Sequence, residues 1–110
     1  YVRERVYPFP GEPIRSVLRC EGDLLSDVLD RFGMETQLRD NGDGTIDAVV
    51  FTGADGLKFW ALQYVSGCQV LEPYWLRREI GETLRTGWEN YQKTEPHPAL
   101  ENKHEQNFRF

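Results

Sequence analysis

Gln69-Val70-Leu71-Glu72 is a short apolar run that ends in Glu72-Pro73 and continues as Tyr74-Trp75-Leu76-Arg77-Arg78-Glu79-Ile80. Proline is favoured at the first helical position, because its missing N–H has no intrahelical partner there anyway. Leu76, Ile80, Leu84 and Trp88 then recur every four residues, which puts them on one stripe of a helix. A strand that feeds directly into such a helix closes a small βαββαβ unit, and the rest of the chain supplies the other elements.

Arg15 to Cys20 reads as the first strand, with Ser16, Leu18 and Cys20 on one face and Arg15, Val17 and Arg19 on the other. Gly22 to Phe32 reads as a helix. Leu24, Leu25, Val28, Leu29 and Phe32 make its apolar stripe, Asp23, Asp27 and Asp30 its wet face, and Gly33 a left-handed cap. Glu35 to Arg39 and Thr45 to Thr52 are strands joined by Asp40-Asn41-Gly42-Asp43-Gly44, a run with strong hairpin-turn chemistry. Asp55 is placed to cap a second helix, Leu57 to Val65, whose core stripe is Leu57, Trp60, Ala61 and Tyr64. Phe59, Leu62 and Val65 lie off that stripe, so this helix expects burial on two sides. Cys68 to Leu71 is the fourth strand and Pro73 to Tyr91 the last helix, in which Gly81 and Gly87 suggest close packing.

The expected fold is therefore α+β: a ferredoxin-like βαββαβ unit with an antiparallel sheet and a C-terminal helix. Right-handed crossovers give the strand order 4-1-3-2, which brings Cys20 beside Cys68. Residues 1–13, with Pro8, Pro10 and Pro13, read as a linker. Residues 14–92 form the domain and residues 93–110 a polar tail. Tyr1 in place of Met reads as a piece of a longer protein.

Charge limits the partners. Between Cys20 and Gly56 nine acids face Arg31 and Arg39, a net −7 within a chain whose total is −5. Such a field repels a phosphate backbone, so the module alone is a poor DNA binder. Phe51 is the only aromatic on the first and third strands, too little for base stacking on an RNA-binding sheet. No apolar run approaches the ~20 residues of a membrane span. The two cysteines are too few for a disulfide scaffold, and a reduced, cytoplasmic setting is expected. With no C-x-x-C, they read as core thiols rather than a redox pair.

Chemistry is sparse. Asn41-Gly42-Asp43-Gly44-Thr45-Ile46 has the look of a calcium loop, but aligning Gly44 with the invariant glycine puts Arg39 and Val50 where carboxylates belong. His97 and His104 are the only histidines, and both lie in the tail. No nucleophile–base pair, metal site or phosphate loop is legible, so no enzyme activity and no cofactor are expected.

Four blocks together carry a family resemblance. They are Gly11-Glu12-Pro13-Ile14-Arg15 leading to Leu18-Arg19-Cys20; Leu24 to Asp30-Arg31-Phe32-Gly33; Phe59-Trp60-Ala61-Leu62; and Val70-Leu71-Glu72-Pro73 with Leu76-Arg77-Arg78-Glu79. In order and spacing they resemble the C-terminal extension, or WCX domain, of WYL-family transcriptional regulators, over about residues 11–92. The resemblance implies a bacterial regulator with a winged helix-turn-helix and a WYL domain upstream, which binds DNA only as the full-length protein. It also implies a non-enzymatic extension that supports homodimer assembly and the effector response. Arg15 and Arg19 are the candidate effector ligands, and Phe59 and Leu62 the candidate interface residues. The alternative is a small-molecule or nucleotide-sensing module of the same fold, with the effector on the open sheet face or in a dimer cleft.

Overall fold

The computed structural model describes residues 11–95. The sequence-predicted linker and tail fall largely outside that range, as do both histidines. The chain order is β1 (Pro13–Glu21), a 3-10 turn (Gly22–Leu24), α1 (Leu25–Phe32), β2 (Gln37–Asp40), β3 (Thr45–Gly53), α2 (Ala54–Gln63), β4 (Cys68–Glu72) and α3 (Tyr74–Lys93). The strands form one antiparallel sheet in the order β2-β3-β1-β4, which is 4-1-3-2 when read from the β4 edge.

Period-two alternation fixes which face of the sheet is dry. Ser16, Leu18 and Cys20 of β1, Ala48 and Val50 of β3, and Cys68 and Val70 of β4 are buried. Val28 of α1, Leu57, Trp60 and Ala61 of α2, and Leu76 and Ile80 of α3 complete the core. Trp60 anchors the helical layer. Its ring meets Phe32 edge-on at 5.1 Å and Tyr64 at 4.6 Å between centroids. Such aromatic pairs add about 0.5–1.5 kcal/mol beyond the area they bury.

Local chemistry moves several expected boundaries. The first helical segment is a 3-10 turn followed by an α-helix, and neither has a side-chain cap. Gly22 opens the turn with its N–H bonded to the Gly44 carbonyl at 2.8 Å, and a Cβ there would sit 3.1 Å from that oxygen. The hairpin backbone thus takes the place of a cap. Gly33 does end α1, but at φ 110°, ψ 151°, a positive-φ conformation that favours glycine yet lies outside the left-handed helical well. Asp27 is not on a wet face; it is half-buried and accepts the Tyr64 hydroxyl at 3.3 Å.

Helix α2 starts at Ala54, so Asp55 lies in its first turn and Gly53 takes the capping position. The acid favours the helix through the dipole instead of a cap hydrogen bond. Pro73 likewise sits just before α3, where its carbonyl accepts the Leu76 and Arg77 amides at 3.1 Å each. The close packing expected at Gly81 and Gly87 is absent, since a Cβ at either would meet nothing within 4 Å. The core stripe of α3 also ends early: Leu76 and Ile80 are buried, while Leu84, Trp88 and Tyr91 are exposed.

Candidate functional site

The open face of the sheet follows from β1. Arg15, Val17 and Arg19 alternate with the buried residues, and β3 places Phe51, Val49 and Asp47 opposite them. Arg19 grips Asp47 with both arms: Nε donates to Oδ1 at 2.8 Å and Nη2 to Oδ2 at 2.9 Å. Asn41 Nδ2 donates to the same Asp47 Oδ1 at 2.9 Å and to Thr45 Oγ1 at 3.0 Å, which ties the hairpin loop to the face. The Arg19 guanidinium, helped by Asn41, holds the Asp47 carboxyl at about 2, and Asp47 in turn raises Arg19. Arg15 faces Glu72 of β4 more loosely, at 3.4 Å with both side chains exposed. The two candidate effector arginines therefore share one face, each beside a carboxylate. Asp47 takes the Nε and Nη2 donors of Arg19, so an anion meets Arg19 through Nη1 or by displacing Asp47.

The hairpin uses its acids internally. Asp40 Oδ1 accepts the Gly42 amide at 2.9 Å. Asp43 Oδ1 accepts the Thr45 amide at 3.0 Å and the Thr45 hydroxyl at 2.6 Å, which lowers the Asp43 carboxyl. Gly42 and Gly44 take positive φ, as the tight turn requires.

The helical side presents the candidate interface residues differently. Phe59 projects outward and is 78 % exposed, whereas Leu62 is half-buried against the core. Burial of α2 on two sides is thus incomplete within these residues. Lys58 Nζ pairs with Glu79 Oε2 at 3.0 Å and fastens α2 to α3. Past Ile80, α3 carries Leu84, Trp88 and Tyr91 outward on one helical stripe.

A groove of ≈ 580 Å³ lies between β4, the end of α2 and the middle of α3. Apolar Ala61, Val65, Val70, Ile80 and Leu84 line it together with Arg77, Arg78 and Arg85. Arg77 Nη1 donates to Gln69 Oε1 at 2.8 Å and to the Val70 carbonyl at 2.9 Å, so it is fixed along β4. Glu82 stands near Arg78 and Arg85, at 4.0 and 3.9 Å. Sequence reasoning missed this groove. The available signal was Gly81 amid basic residues at helical spacing, a gap in the side-chain wall that the open space around its Cα now explains.

No helix among the described residues is long and apolar enough to cross a membrane. No curated protein and no solved structure matches the chain. The family model for the WCX domain matches residues 12–87, from the approach to β1 into the outward half of α3. With that much of its length matched, the chain belongs to the WCX domain family, the accessory domains of WYL-type transcriptional regulators.

Proposed function

We propose that this domain assembles a WYL-type regulator, joining two copies of the chain and passing their arrangement to the DNA-binding and WYL domains upstream. It does no chemistry of its own, and the full-length protein contacts DNA from the cytoplasm. The observation that carries the assembly role is the outward stripe Leu84, Trp88 and Tyr91, with Phe59 on α2. Exposed large aromatics in this number favour association, and symmetric dimers are the commonest form it takes. The order β1-α1-β2-β3-α2-β4 over a 4-1-3-2 sheet supports a ferredoxin-like reading of the scaffold, with α3 added for this purpose.

Sedimentation velocity across a concentration series tests the reading. The unmodified chain should self-associate, and Trp88→Glu or Phe59→Glu should return it to monomer with its fold intact. A chain that stays monomeric to high micromolar concentration and is indifferent to both substitutions would remove the assembly role.

The groove with its three arginines supports a second reading, in which the domain senses a small anionic effector. Arg15 and Arg19 would then serve the open face and Arg77, Arg78 and Arg85 the groove. Thermal-shift screening of anionic metabolites, repeated with Arg19→Ala and Arg78→Ala, separates the two places.

A further inference from the structure

The two cysteines have no part in the assembly reading, yet the fold puts them together. Cys20 ends the buried face of β1, Cys68 begins β4, and they are direct cross-strand partners. Their sulfurs lie 2.9 Å apart as free thiols. The ladder also places them in the closer kind of pair. Glu21 donates its N–H to the Gly67 carbonyl at 2.8 Å, so the next position along is the hydrogen-bonded one. Antiparallel ladders alternate, which makes Cys20–Cys68 a non-hydrogen-bonded pair with Cα atoms about 4.5 Å apart. That separation falls within the roughly 4.4–6.8 Å that a disulfide spans.

We propose that Cys20 and Cys68 are a peroxide-responsive dithiol, which closes to a disulfide that braces edge strand β4, and with it α3, against β1. The sequence reads against a redox pair because it holds no C-x-x-C, but the fold gives Cys20 a neighbour that stabilises its thiolate. In the dithiol the Cys20 S–H donates to the Cys68 sulfur; once Cys20 has lost that proton, the Cys68 S–H solvates the thiolate, which holds Cys20 below the usual thiol range against burial and the Asp47 charge. The same bond, with burial, pushes Cys68 up. We take Cys20 as the first nucleophile and Cys68 as the resolving thiol, both lining the same recess.

Access is narrow but present. Cys20 is 1 % and Cys68 6 % exposed, and both line a recess of ≈ 170 Å³ formed by the end of β1, Thr45 and the Val65–Gln69 turn. Hydrogen peroxide is close to water in size and suits such a recess; a bulky disulfide reagent does not.

The Cys20 thiolate attacks one peroxide oxygen and the O–O bond breaks. The departing hydroxide takes up the proton that Cys20 released and becomes water, leaving Cys20 as a sulfenic acid. Cys68 then gives up its proton and attacks the Cys20 sulfur. The S–O bond breaks, and the departing hydroxide takes that proton as a second water. The two sulfurs supply the two electrons that reduce the peroxide, and a dithiol reductant reverses the bond by exchange. Because β4 leads directly into α3, oxidation fixes the strand that carries the helix.

The test treats the folded chain with hydrogen peroxide, blocks remaining thiols with iodoacetamide, and reads intact mass and tryptic peptides. The expected product is monomeric, has lost the mass of two hydrogen atoms and takes up no alkyl group. It contains the Cys20–Arg31 peptide joined to the Phe59–Arg77 peptide, and dithiothreitol restores two alkylatable thiols. Cys68→Ser should stop at a Cys20 sulfenic acid that dimedone captures. Two alkylated cysteines after peroxide, sulfinic acid without a crosslink, or crosslinks only between chains would each overturn the proposal. These readouts do not depend on oligomeric state, so their failure leaves the assembly reading intact.

Discussion

Among the described residues, Ser16 is the one core residue whose chemistry works against its position. It is fully buried in β1, and its hydroxyl has no hydrogen-bond partner among the described residues. An unpaired buried hydroxyl costs about 1–3 kcal/mol relative to a satisfied one, so Ser16→Ala should leave stability unchanged or raise it by about 1 kcal/mol in urea denaturation. Trp60 is the opposite case. It is buried between Phe32 and Tyr64, and Trp60→Ala should lower stability by about 3–5 kcal/mol in the same assay. Asp47 sets a pH dependence. Its carboxyl is depressed from 3.8 to about 2 by Arg19, so the stability it lends is complete above the unfolded value and disappears as pH falls through the folded one. Acid titrations of melting temperature should therefore show a loss between about pH 4 and 2 that is shallower in Asp47→Asn.

At the scale of elements, α3 is a helix of two halves. The first half packs Leu76 and Ile80 into the core; the second turns Leu84, Trp88 and Tyr91 away from the core of the described residues and contains Gly87. Gly81 and Gly87 meet nothing that a methyl group would strike. Each alanine substitution should then stabilise the chain by about 0.5–1 kcal/mol, because glycine loses more backbone freedom in a helix and gains no packing here. Chemical denaturation of Gly81→Ala and Gly87→Ala checks this, and destabilisation would mean that the open space is filled in solution. The contrast shows what the sequence could convey. Alternation in β1 and β3 and the spacing of Leu57, Trp60 and Ala61 mark the buried faces, because period and burial are the same fact in a small two-layer domain. Where the Leu76–Trp88 stripe leaves the core was not legible, since an apolar stripe looks alike whether a sheet or a second molecule covers it. The ion pairs of Arg15 and Arg19 were hidden for a related reason. Alternation gives the face but not the partner, and Asp47 and Glu72 arrive through strand register. Gly53 replacing Asp55 at the α2 cap, and the positive-φ Gly33 outside the left-handed helical well, reflect turn geometry that one-residue shifts decide.

The strand order also sorts charge across the whole molecule. Edge strand β2, its hairpin and α1 come from the segment of net −7, while β4 and α3 form the opposite edge and carry Arg77, Arg78 and Arg85 beside Glu79 and Glu82. Among the described residues the domain thus has one acidic flank and one mixed flank, with no surface of uniform positive charge. Three arginines of the described residues are already engaged: Arg19 is held by Asp47, Arg77 by Gln69 and the Val70 carbonyl, and Arg15 faces Glu72. Affinity for duplex DNA depends on cations that release counterions from the backbone, and even non-specific binders reach only about 10⁻⁴–10⁻⁶ M at physiological salt. The isolated chain should fall below that range, with no saturation by fluorescence anisotropy up to about 100 μM protein on a labelled duplex. Lowering the salt should recover little, because the acidic flank repels more strongly as screening is withdrawn. Binding that is tight at physiological salt, or that distinguishes one duplex sequence from another, would place a DNA-reading surface in this domain and contradict its role as an accessory to one.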